Sequence, residues 1–186
     1  LGQMTSAGTH DQNVAAMRDL AARAQAGAVD MLCLPEVAGL MQRDGDKARA
    51  QVVEAHRDPF ILASRDEARK RGVWMQPGST PVLNGDGRFL NHAVMVASNG
   101  DVVARYDKIH LFDVALEGQA PIGESRRFAP GERGVVVDTP WGAMGMTICY
   151  DLRFPHLFRA YAQEGARLIF VPSAFTLHTG KDHWDL

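Results

Sequence analysis

Thr147-Ile148-Cys149-Tyr150-Asp151-Leu152-Arg153-Phe154-Pro155 is the stretch on which the reading of this chain turns. It sets a cysteine between an apolar run, Ala143 to Ile148, that reads as a buried strand, and a helix whose first turn suits Pro155. A thiol in that position meets unpaired backbone N–H groups and the positive end of a helix dipole, so thiolate is expected to be favoured over thiol. Taken alone, the stretch leaves a second reading open. Free cysteine is among the most buried side chains, and Cys149 fits equally well as a small core residue.

Downstream, the helix is expected to run from Pro155 to about Glu164 and stop at Gly165, with a strand Arg167 to Val171 and a loop Pro172-Ser173-Ala174-Phe175 after it. Upstream, Gly134 to Asp138 and Gly142 to Ile148 pair as strands about the turn Thr139-Pro140-Trp141-Gly142. Leu111 to Gly134 has the glycine, proline and charge content of a long functional loop, and Glu124 lies in it. Phe89 to Ala97 and Asp101 to Ile109 form a hairpin through Ser98-Asn99-Gly100, delivering Lys108 at the far end. Asn84-Gly85-Asp86-Gly87 is a loop, and Val73 to Gln76 begins a strand. Asp44 to Gly72 is helical in pattern but broken at Asp58-Pro59, which predicts two helices. Val29 to Leu34 is a short apolar strand ended by Pro35, placing Glu36 just past its C-terminal end. Asp11 or Asn13 caps a first helix with the stripe Val14, Met17, Leu20 and Ala24, stopped by Gly27. The order of elements predicts an α/β fold with some antiparallel pairing.

A length of 186 residues is that of one domain, spanning 1–186. The 20 basic and 22 acidic residues nearly balance, which argues against a nucleic-acid or membrane partner. Two cysteines, Cys33 and Cys149, are too few for a disulfide scaffold and fit a reducing compartment, hence the cytoplasm. No apolar run approaches the ~18 residues of a membrane span. Leu1-Gly2-Gln3-Met4 reads as the tail of a strand and Lys181-Asp182-His183-Trp184 as a helix being entered, so a domain incomplete at both ends is expected. The run Arg65 to Arg71 mixes charges at helical spacing and reads as a solvated helix face. His110, His156, His178 and His183 match no zinc spacing, and no metal is expected.

Hydrolysis through a cysteine needs a nucleophile, a group to move its proton, and donors for the oxyanion. Cys149 supplies the first. Glu36, desolvated beside Pro35 and an apolar strand, is expected to shift toward its neutral form and shuttle protons. Lys108 supplies an ammonium beside the sulfur, joined by the backbone N–H that follows Cys149. Each residue also has a plain reading: Glu36 as a loop acid, Lys108 as a surface lysine at a strand end, Cys33 as core.

Three motifs weigh against the plain readings. Leu32-Cys33-Leu34-Pro35-Glu36, Tyr106-Asp107-Lys108-Ile109-His110-Leu111-Phe112-Asp113 and Ile148-Cys149-Tyr150-Asp151-Leu152-Arg153-Phe154-Pro155 resemble, in order, the three motif regions of the nitrilase superfamily of carbon–nitrogen hydrolases. The resemblance covers essentially the whole chain. It implies a four-layer α-β-β-α sandwich, a Glu36–Lys108–Cys149 catalytic triad, and Glu124 as the second glutamate that positions the lysine. It further implies an amidase of the ω-amidase or deaminated-glutathione amidase kind, acting on a small anionic amide through a thioester. A homodimer or higher homo-oligomer is implied too, usually paired through the region after the cysteine. Tyr150, Arg153, Phe175 and Thr176 are the candidate substrate contacts, with Arg153 equally readable as a structural partner of Asp151. An inactive scaffold with the same fold, a true nitrilase or N-carbamoyl hydrolase, and an acyl transferase or glutaminase domain are the competing readings.

Overall fold

The computed structural model describes residues 1–115, 122–175 and 180. Its first sheet contains β1 (Met31–Cys33), β2 (Trp74–Gln76), β3 (Ser79–Leu83), β4 (Phe89–Val96) and β5 (Val102–Asp107). β1 lies parallel to β2, while β2, β3 and β5 all run antiparallel to β4. A short pair, β6 (Asp113–Val114) and β7 (Ile122–Gly123), stands apart. The second sheet is ordered β10-β9-β8, from β8 (Val135–Thr139), β9 (Gly142–Met146) and β10 (Leu168–Phe170), with β10 parallel to β9 and β8 antiparallel to it.

β4 is apolar on both faces because both faces are covered, as its alternation shows. Val94 and Val96 enter one core with Met17, Leu32, Phe60 and Met75, beneath the paired helices α1 (His10–Ala26) and α3 (Pro59–Arg71). Ala93 and Met95 enter the other, between the sheets, with Tyr106, Met144, Met146 and Ile148. On the far side of the second sheet lies α4 (Pro155–Gln163). Its buried Tyr161 donates through Oη to Met146 O at 2.6 Å and accepts from Val135 N at 3.0 Å. The ring of Tyr161 packs so closely on Gly145 that a Cβ there would clash with it. The layers are therefore α-β-β-α, as the resemblance implied. No helix among the described residues is long and apolar enough to cross a membrane.

Several expectations are refined. α1 begins at His10 with Thr9 at its N-cap, one turn ahead of the cap sought at Asn13. Asn13 is instead buried, donating from Nδ2 to Ala7 O and Gly39 O and accepting from Ala7 N. The break at Asp58-Pro59 is wider than expected: α2 (Gly45–Gln51) ends well before α3, whose cap Asp58 accepts from Phe60 N and Ile61 N. β3, which carries Pro81, was not anticipated: the sequence reading assigned nothing between the strand at Val73 to Gln76 and the loop at Asn84 to Gly87. Proline survives there since β3 pairs only with β4 among the described residues, leaving its missing N–H at an edge. Gly78, at φ +72°, bends the chain between β2 and β3 against Pro35 O, where no side chain fits. The charged face of α3 is only partly solvated. Arg65 and Arg69 donate to Gly100 O and Asn99 O, pinning the β4–β5 hairpin turn, and Arg71 pairs with the buried Glu67.

Candidate active site

Each of the four central side chains arrives from a segment whose geometry the fold has fixed. Glu36 follows β1 across Pro35, Lys108 follows β5, Glu124 opens a single 3-10 turn (Glu124–Arg126) after β7, and Cys149 follows β9. All meet at the edge of the inter-sheet core. Lys108 is only 2% exposed, a depth at which an unpaired ammonium would not persist. Its Nζ donates to Glu36 Oε1 at 3.0 Å and to Glu124 Oε2 at 2.9 Å. Glu36 Oε2 accepts from Ala174 N at 3.0 Å, and Glu124 Oε2 accepts from Phe112 N at 2.7 Å.

Asn91, in the middle of β4, ties the two carboxylates together. Its Nδ2 donates to Glu36 Oε1 at 2.9 Å and to Glu124 Oε1 at 3.4 Å. Sequence reasoning missed this residue. The available signal was the polar pair Asn91-His92 interrupting the apolar run of β4, where polar side chains must find partners.

Cys149 occupies the left-handed region at φ +50°, a conformation that costs a non-glycine residue about 1–2 kcal/mol. The surrounding bonds hold it there. Cys149 N donates to Pro172 O at 3.0 Å, and Ile148 N donates to Asp151 Oδ2 at 2.8 Å. Asp151, fully buried, also accepts from Tyr106 Oη at 2.6 Å and His110 N at 3.0 Å, with His110 Nδ1 at 2.7 Å from the same carboxylate. The His110 ring stacks on Phe154 at 3.6 Å between centroids.

The expected thiolate is overturned. Burial pushes the Cys149 thiol up to about 12, the neighbouring Glu36 carboxylate adds to the rise, and Lys108 only partly opposes them. The helix assumed to begin at the cysteine is also displaced: a short 3-10 turn, Cys149–Arg153, intervenes before α4 starts at Pro155. Burial and the Glu36 carboxylate thus favour the thiol over the thiolate that the sequence led us to expect. For Lys108, burial pulls downward, but Glu36 and then Glu124 outweigh it and hold the ammonium above the ordinary lysine value.

A cavity of about 360 Å³ opens over Cys149, walled by Leu40, Phe89, Phe112, Phe128, Tyr150 and Phe175. Of the expected substrate contacts, Tyr150 and Phe175 line this cavity. Arg153 does not line this cavity, and Thr176 lies outside the described residues, as do His178 and His183. No group of three or more metal-ligating side chains gathers among the described residues.

Residues 1–186 match the family of carbon-nitrogen hydrolases from end to end. The chain belongs to that family. It is 45% identical over 137 residues to the deaminated glutathione amidase of Yersinia enterocolitica, covering 72% of this chain and 48% of that protein. The crystal structure of the C. elegans NitFhit protein superposes with a TM-score of 0.88 at 32% identity, covering 98% of this chain and 45% of that one. A mutant of the amidase from Nesterenkonia sp. AN1, showing the result of Michael addition of acrylamide at the active-site cysteine, superposes with a TM-score of 0.80 at 28% identity, covering 97% of this chain and 68% of that chain. The chain thus spans about half the length of the Yersinia and C. elegans relatives.

Proposed function

We propose that this chain hydrolyses the terminal amide of a small anionic substrate through a thioester on Cys149. The observation that carries the reading is the convergence of Glu36, Lys108 and Glu124 on a buried cysteine at the floor of a cavity. The named activity of the Yersinia relative points the same way.

In the first step Glu36 takes the Sγ proton as the sulfur attacks the amide carbonyl carbon. Because burial and Glu36 favour the thiol, we couple this proton transfer to the attack. Lys108 spends two of its three N–H bonds on Glu36 and Glu124, and we assign the third to the oxyanion. Collapse of the tetrahedral intermediate breaks the C–N bond, and Glu36 returns the proton to the departing ammonia. Water deprotonated by Glu36 then attacks the thioester carbon, releasing the carboxylic acid and restoring the thiol. Asn91 keeps both carboxylates oriented throughout. No step calls on a metal or organic cofactor.

We read residues 1–186 as belonging to one domain, acting in the cytoplasm as a homodimer or higher homo-oligomer, with a small amide as the only partner of the site. An inactive scaffold is the weaker reading, because burying two carboxylates and an ammonium costs several kcal/mol per ion and serves no purpose in a scaffold. The decisive measurement is ammonia release from a panel of small amides. Release is expected to vanish in Cys149→Ala and in Glu36→Gln, which lacks the base for both steps, and acid-quenched parent protein in turnover is expected to carry an acyl adduct on Cys149 visible by intact mass. Turnover that survives Cys149→Ala would sink the reading.

A further inference from the structure

Val37, the residue after Glu36, stands at φ +51°, in the left-handed region of backbone conformation. Among the described residues two other non-glycine residues lie there, Ala28 and Cys149. Val37 is the β-branched one of the three, and a β-branched side chain tolerates that region worst. Strain of this kind persists only where the surrounding structure imposes it.

The groups that impose it belong to the end of β2 and the start of β3. Leu34 N donates to Gln76 O at 2.9 Å, pinning the chain before Glu36, and Gly39 N donates to Ser79 O at 3.1 Å, pinning it after. Between these two ties, Val37 N donates to Ser79 Oγ at 2.9 Å. Ser79 is buried and pairs with Ala93 in the β3–β4 ladder, so the sheet fixes the point from which its hydroxyl reaches Val37. With both flanks tied, any relaxation of φ at Val37 falls on the Glu36–Val37 peptide. It then moves the carboxylate that Lys108, Asn91 and Ala174 N hold. Val37 lines the catalytic cavity, whereas Ser79 lies behind its wall.

We propose that Ser79 is a positioning residue of the reaction: by accepting from Val37 N it holds the chain in its left-handed turn and so keeps Glu36 aimed at Cys149. The proposal rests on the amidase reading and adds to it a residue outside the cavity on which the base depends.

Ser79→Ala is expected to lower kcat by about tenfold or more on whichever amide of the panel the parent turns over fastest, as a base displaced by a fraction of an ångström would. KM should stay within about threefold, because Ser79 does not line the cavity. Iodoacetamide should alkylate Cys149 severalfold faster in this variant at fixed pH, since the Glu36 carboxylate that raises the thiol has been drawn away. Adding Val37→Gly should return both rates toward those of the parent, because glycine adopts the left-handed conformation without strain. Adding Val37→Ala instead, which trims the side chain but keeps Cβ, should return them far less. Unchanged kcat and alkylation in Ser79→Ala, even with a lower thermal midpoint, would overturn the proposal, and so would equal rates in the two double variants. Should Ser79→Ala alone fail to fold, the two double variants carry the same comparison. If the parent turns over no amide, the amidase reading fails separately, and the alkylation rates still decide the role of Ser79.

Discussion

The chemical state of Cys149 is set by two neighbours that pull in opposite directions. Burial and Glu36 raise its thiol from 9.0 to about 12, and Lys108 lowers it without prevailing. A group whose folded value lies above its unfolded one lends stability that is intact below the unfolded value. For Cys149 that contribution is complete below 9.0 and disappears as pH climbs toward about 12, so it affects only the alkaline limb of the stability curve. The same shift governs reactivity. Alkylation of Cys149 by iodoacetamide in the resting protein is expected to show no ionisation step below 9.0. Glu36→Gln should speed this alkylation at fixed pH while abolishing turnover, because removing the carboxylate charge lets Lys108 draw the thiol value down. Peptide mass mapping separates Cys149 from Cys33, whose thiol burial also pushes up, to about 11. A step near neutral pH would mean a resting thiolate–lysine pair instead. Glu36, Lys108 and Cys149 were candidates in the sequence because each lies where a strand-like run ends, but that position left plain readings open until the three motifs were matched to a family. Asn91 could not be read there, since its importance comes from two carboxylates remote in sequence.

The turn after β9 shows how one element makes a strained residue tolerable. Asp151 receives hydrogen bonds from Ile148 N, His110 N and Tyr106 Oη, so a single buried carboxylate locks the strand end, the segment after β5 and the 3-10 turn together. Asp151→Ala would orphan these donors at full burial. We expect a loss of roughly 3–5 kcal/mol, read as a fall in thermal midpoint on the order of 10 °C. An unchanged midpoint would show that the lock is dispensable. The sequence marked this turn as a strand-to-helix junction but misjudged its form. Pro155 correctly predicted where α4 starts, yet nothing in Cys149 to Phe154 announces a 3-10 turn, whose bonds depend on Asp151 finding tertiary partners. The missed β3 has the same origin. Pro81 is a poor strand former by itself, and it is accommodated because β3 pairs with no strand but β4 among the described residues.

At the scale of the whole molecule, the site is assembled across the two sheets. Glu36 and Lys108 follow strands of the first, and Cys149 follows a strand of the second, so their distances depend on how the inter-sheet core packs. The helix-side core has no such role. Met17, on the inward face of α1, and Met146, between the sheets, are both essentially fully buried, and truncating either to alanine should cost about 2–5 kcal/mol through the cavity left behind. Their effects on turnover should differ. Met146 lies at the end of β9, just before Cys149, and collapse of the sheets around a void there would displace the sulfur from Glu36 and Lys108. A shift of about 1 Å at reacting groups costs on the order of a hundredfold in rate. Met146→Ala is therefore expected to lower kcat sharply under conditions where circular dichroism shows it folded, while Met17→Ala, equally destabilised, should keep kcat within about threefold of the parent, given that it disturbs neither sheet end. Equal losses of kcat in the two variants would mean that the catalytic geometry is held locally, by the Glu36–Asn91–Lys108 bonds, and not by the register of one sheet upon the other.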